Sequence, residues 1–166
     1  MKSTTDRPLV TLALGAVAGL AATWVMGKAT TFLYENEDKA ARKREDKARG
    51  GRSAYQTAAE KVARLAGRKL TKAQSEKAGE AIHWAIGVGT GATYALLRRR
   101  NGGGLGKGAL LGTAVWILLD EVGNTALGLT PGPKAFPWQA HARGLAGHLV
   151  LGLTTEGLMK AADLAA

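Results

Sequence analysis

Cysteine is missing from the chain, which excludes disulfides and thiolate metal sites and leaves the redox compartment unmarked. Proline is scarce, with 4 residues. Three of them fall within 130–138, where Thr-Pro-Gly-Pro-Lys-Ala-Phe-Pro-Trp cannot run as regular helix. Charge is absent from residues 8–27, and residues 81–97 hold only His83. The net charge is +10, yet no recognisable nucleic-acid module accompanies it, so no nucleic-acid partner is expected. The Gly-x-Gly-x-Gly run at 104–108 follows no strand and lacks the Lys-Ser/Thr of a phosphate loop. Neither an internal repeat nor a pair of broken helices points to a complete secondary transporter. His83, Asp120 and His148 are residue types that ligate metals, but no spacing motif links them. No cofactor, metal site or catalytic residue is expected, and the chain does not read as an enzyme.

What is present is segregated. Residues 35–80 hold most of the charge, while four apolar stretches, at about 8–28, 81–97, 108–129 and 143–160, approach the roughly 20 residues a helix needs to cross a bilayer. The expected fold is all-α: one integral membrane four-helix bundle over residues 1–166. A charged helical extension and a short amphipathic helix separate the first span from the second. The segment 29–78 is placed outside the bilayer. Thr5 or Asp6 is the expected cap of the first helix, with Pro8 in its first turn. Lys2 and Arg7 precede it as in a signal peptide, but the apolar run exceeds the usual 7–15 residues of such a leader, roughly speaking, so an uncleaved span is expected.

Beyond Lys28 the pattern stays helical and turns charged. Glu35–Lys39, Asp38–Arg42 and Glu45–Arg49 are favourable i,i+4 pairs, so the first helix is expected to extend out of the membrane until Gly50-Gly51 stops it. Ser53-Ala-Tyr-Gln56 and Thr71-Lys-Ala-Gln74 fit capping boxes. Between them an apolar stripe is flanked by Arg52, Lys61, Arg64, Arg68 and Lys69, a basic surface suited to anionic lipid or another membrane protein. Gly15 with Gly19, Gly87 with Gly91, and Gly108 with Gly112 have the spacing that lets helix backbones approach closely. These faces also suggest a homo-oligomer.

The third stretch carries Asp120 and Glu121. A charge at the centre of a span costs about 2.5–3.5 kcal/mol on the mildest insertion scale, so both acids need a polar partner or a wet cavity. Up-and-down threading places Lys28, His83, Asp120, Glu121, Asn124 and His148 in one leaflet, with Glu156 deeper toward the N-terminal side. At 100° per residue Asp120 shares a face with Thr113 and Asn124, whereas Glu121 points toward Thr125. One groove is therefore not expected to take both acids. The narrow stripe Gly144, His148, Gly152 and Thr155, bordered by Glu156, is the expected partner of Asp120. Trp24, Trp84 and Trp138 read as an aromatic belt, and Trp116 as a packing residue.

Gly128-Leu-Thr-Pro131, Phe136-Pro-Trp138 and Gly147-His148-Leu-Val150 with Glu156 resemble the YagU-like family of bacterial inner-membrane proteins. Ala18-Gly19 and His83-Trp84 are similar too, while the long charged segment departs from that pattern. The resemblance implies a multi-pass protein of the bacterial inner membrane, of about four helices, with both termini inside and a role loosely tied to acid tolerance. Two functional expectations follow. The first is a proton- or ion-responsive, transport-related protein built on the intramembrane polar cluster. The second is a scaffold that oligomerises through its Gly-x-x-x-Gly faces and binds lipid or a partner through its basic helix.

Overall fold

Pro8 opens α1 (Pro8–Glu35), whose 28 residues reach about 42 Å at 1.5 Å per residue. The computed structural model describes residues 8–165, all helix, turn or loop with no strand among them; the expected cap at Thr5 or Asp6 lies outside them. The charged segment does not prolong α1. The chain turns at 36–38, where the Asp38 side chain accepts from the Ala41 amide at 2.9 Å and starts α2 (Lys39–Arg49). α2 then folds back over the bundle end, so that the Tyr34 hydroxyl donates to Asp46 at 2.8 Å. Its interior face buries Ala41 and Glu45. The expectation of one continuous solvated helix fails because an aspartate cap competes successfully with the i,i+4 pairs at the junction.

Gly50, at φ 58°, ends α2 in the left-handed conformation glycine adopts without strain. Both capping boxes form: Ser53 with Gln56 opens α3 (Ala54–Leu65), and Thr71 with Gln74 opens α4 (Lys72–Asn101). α5 (Leu105–Val115) continues without a break into a π-helix, Trp116–Gly123, and the short α6 (Asn124–Ala126). The proline-rich link contributes one 3-10 turn, Pro133–Ala135, before α7 (Trp138–Leu164).

α1 lies between α4 and α7, α5 packs on the other side of α7, and α3 covers the first half of α4. Two glycine seams set these distances. A Cβ on Gly15 would stand 2.5 Å from the Gly91 carbonyl oxygen, and one on Gly19 would strike the Gly87 carbonyl. On the other seam a Cβ on Gly108 would stand 2.8 Å from the Gly152 oxygen, and one on Gly112 would strike that of His148. Backbone therefore lies on backbone, the arrangement small residues permit where two helices pack without bulky side chains between them.

The interior is built from small and polar groups. Among the described residues its buried apolar members are six alanines with Tyr94, Leu151 and Met159, and it also holds Thr11, Thr23, His148, Thr155 and Glu156. Large apolar side chains point outward instead, among them Leu9, Val17, Trp24, Leu110, Leu118 and Val122. Among the described residues α1 alone is both long and apolar enough to cross a membrane. The other three apolar stretches are helical too, the third divided among α5, the π-helix and α6, none of which is by itself long enough to span.

Candidate functional site

The acids of the third apolar stretch lie within its π-helix. The Asn124 amide donates to the Leu119 carbonyl, five residues back, and the wider turn places successive side chains closer in angle than an α-helix would. Asp120 and Glu121 line the same cleft, which is broad enough to reach from Gly144 and His148 on one side to Pro133 and His141 on the other; this corrects the expectation that one groove cannot take both. They still use different partners. The His148 Nδ1 lies 3.7 Å from Asp120 and donates to the Gly144 carbonyl at 2.9 Å. A carbonyl only accepts, so Nδ1 carries a proton. His141 reaches Glu121 through Nδ1 at 2.7 Å and faces the Pro133 carbonyl through Nε2 at 3.1 Å. An imidazolium against a carboxylate, or a neutral ring against a carboxylic acid, satisfies that pair; either way the two groups share one proton.

The cleft has a volume of about 670 Å3 and also takes in His83, Asn124, Tyr55 and Trp116. His83 stacks against Tyr55 at 5.1 Å between ring centroids. Trp116 Nε1 is buried with no acceptor. The absence of a Cβ on Gly144 lets the indole pack directly on the glycine: a Cβ there would stand 3.0 Å from this nitrogen and 3.8 Å from the Asp120 carboxylate, so the two groups lie side by side.

α2 and α3 roof the cleft. Arg143, at the start of α7, bonds both Glu37 and Glu45 and stacks 4.9 Å above the Tyr34 ring. Arg49 holds Glu45 from the other side at 2.7 Å and lies 5.8 Å from the Phe136 ring. Glu45 is 1% exposed, so a charged helix is fastened by a buried carboxylate between two guanidiniums. Lys61 donates to the Leu127 carbonyl at 2.6 Å and ties α3 to the end of α6. In this roof, burial pushes the Tyr55 hydroxyl up to about 12, with the charge of Asp120 adding to it. The hydrogen bond to Asp46 raises that of Tyr34.

Of the residues singled out from the sequence, His83, Asp120, Glu121, Asn124 and His148 meet in the cleft. Lys28 does not; it is exposed and its ammonium lies 5.7 Å from the Trp24 ring. Glu156 is at the opposite end, where it accepts from Tyr94, Arg98 and the Gly104 amide. The glycines Gly15, Gly19, Gly87, Gly91, Gly108 and Gly112 all lie in the two seams. On the basic surface Arg52 pairs with Glu60 and Lys61 is used internally, while Arg64, Arg68 and Lys69 are exposed. His141, Arg143, Glu45 and Tyr55 were missed. Arg143 had a signal, since a guanidinium heading an apolar helix needs a carboxylate; Glu45 read only as the i,i+4 partner of Arg49, Tyr55 only as part of an apolar stripe, and His141 stood outside the apolar runs. No protein-family model matches the chain, and neither a curated protein nor a solved structure is significantly similar to it.

Proposed function

We propose that this chain is a four-span membrane bundle, of the YagU-like bacterial inner-membrane kind, whose cleft takes up and releases protons and so couples the protein to pH or to ion movement. The membrane placement is supported by the interior of glycine, alanine and threonine beneath an exterior of leucine, valine and tryptophan. Lipid solvates such an exterior, and small residues let the helices meet. The observation that carries the functional reading is the convergence of two carboxylate–histidine pairs, Asp120 with His148 and Glu121 with His141, in one cleft. Carboxylates and imidazoles at one depth of a membrane exchange protons near neutral pH. The scaffold reading draws on the exposed Arg64, Arg68 and Lys69, but its Gly-x-x-x-Gly faces are already occupied within the chain.

Two experiments test this. Single-cysteine accessibility scanning, clean in a chain without native cysteine, should find four protected segments; protection of 8–28 alone removes the multi-pass placement. In proteoliposomes with an internal pH dye, wild-type protein should give a pH-dependent flux that Asp120→Asn and His148→Ala each abolish. Flux indifferent to both substitutions defeats the proton reading.

A further inference from the structure

The chain carries a net charge of +10, yet five carboxylates and only three guanidiniums line the cleft, with no lysine. The guanidiniums of Arg49 and Arg143 are already committed to Glu45. Asp120 is not committed in this way; its nearest ionisable partner is His148 at 3.7 Å. Beside it, Trp116 Nε1 is buried with no acceptor. An acceptor short of a donor and a donor short of an acceptor thus lie side by side next to Gly144, on residues that line the cleft. A ligand answering both needs has a cationic donor for the carboxylate and an oxygen for the indole N–H. The ring of Tyr55, in contact with His83, lines the same cleft and adds an aromatic wall that favours a cation. An inorganic cation would find no group of three ligating side chains among the described residues. The volume of about 670 Å3 suits a small organic molecule.

We propose that the cleft floor binds a small primary ammonium compound bearing a nearby oxygen, as an amino alcohol does, with Asp120 holding the ammonium and Trp116 Nε1 donating to the oxygen. This rests on the cleft of the proton-exchange reading but requires no proton movement. An ethanolamine group reaches such a site either as a free solute or as the headgroup of an aminophospholipid.

The test uses the full chain, labelled with 15N at its tryptophan indoles, at one fixed pH. In detergent, ethanolamine should shift the Trp116 indole resonance saturably. Propylamine, which lacks the oxygen, should bind about tenfold more weakly, the worth of one hydrogen bond, and propanol should give no saturable shift. Asp120→Asn should weaken ethanolamine at least tenfold. Should that variant not fold, Trp116→Phe, read by calorimetry, should reduce ethanolamine to the affinity of propylamine. In nanodiscs, a shift with phosphatidylethanolamine but not phosphatidylcholine assigns the lipid as source, whereas a shift with the free solute assigns the soluble one; either supports the shared chemistry. Equal binding of ethanolamine and propylamine, undiminished binding by folded Asp120→Asn, or no saturable shift from either source overturns the proposal. Intact ethanolamine binding with no Asp120-dependent flux overturns the proton reading alone, and the reverse result overturns this proposal alone.

Discussion

At one end of the bundle Glu156 accepts from the Tyr94 hydroxyl at 2.7 Å, the Arg98 guanidinium at 2.7 Å and the Gly104 amide at 2.6 Å. Arg98 spends its other arm on Asp163 at 2.6 Å. At the opposite end Asp120 has a histidine at 3.7 Å and an indole N–H nearby with no acceptor. Both acids interrupt apolar helices, and by sequence they looked alike. The difference lies in saturation. Glu156 joins α4, the turn before α5, and α7 through a closed set of charge-assisted bonds, which makes it a fastener. Asp120 keeps its bonding capacity for something outside the chain, the kind of local inconsistency proteins retain at functional sites.

The sharpest way to break this contrast is to remove each acid in turn. Glu156→Leu leaves the largely buried Arg98 (its side chain is 13% exposed) with Asp163 alone and takes the acceptor from the Tyr94 hydroxyl and the Gly104 amide. It should cost about 3–5 kcal/mol, read by denaturant unfolding in detergent. Arg143→Met leaves Glu45 with Arg49 alone and should cost about 1.5–3 kcal/mol, the worth of hydrogen bonds to charged groups. Hydrogen exchange should quicken over 39–49 while 8–35 and 72–101 stay protected; uniform quickening would mean that the roof and the bundle are one unit. A smaller effect is expected from alkali. Tyr55 holds its proton from an ordinary value of 10.0 up to about 12. Its contribution to stability is therefore full below pH 10 and is lost as the pH rises toward 12. Ultraviolet titration should lose a tyrosinate phase near pH 12 in Tyr55→Phe. Asp120→Asn should shift stability least, by about 0.5 kcal/mol or less, as for residues outside any structural network. A loss matching that of Glu156→Leu would make both ends structural.

Much of the frame was legible because it depends on local rules. Ser53 with Gln56 and Thr71 with Gln74 form their capping boxes, and the glycine spacings at 15, 19, 87 and 91 marked the helix contact they now occupy. Threading alone gathered His83, Asp120, Glu121, Asn124 and His148, since depth along antiparallel helices follows from residue count. Three things escaped. The return of α2 hinges on the Asp38 cap and on Arg143, roughly a hundred residues away in sequence, so no local pattern announces it. His141 lies outside the apolar runs and gains meaning only when the proline-rich link brings the Pro133 carbonyl to it. The π-helix has no periodic signature, and a wheel drawn at 100° per residue separated two acids that face one opening.

That wide turn makes the site sensitive to chain length as well as to side-chain identity. Over Trp116–Gly123 the backbone hydrogen bonds skip one residue more than α-helical bonds do. Excising one residue from 117–119 lets the remainder close as ordinary helix and redirects Asp120 and Glu121 relative to α5 and α7. Counting, rather than chemistry alone, decides which groups share the opening. A deletion that touches no polar residue would change what the cleft contains.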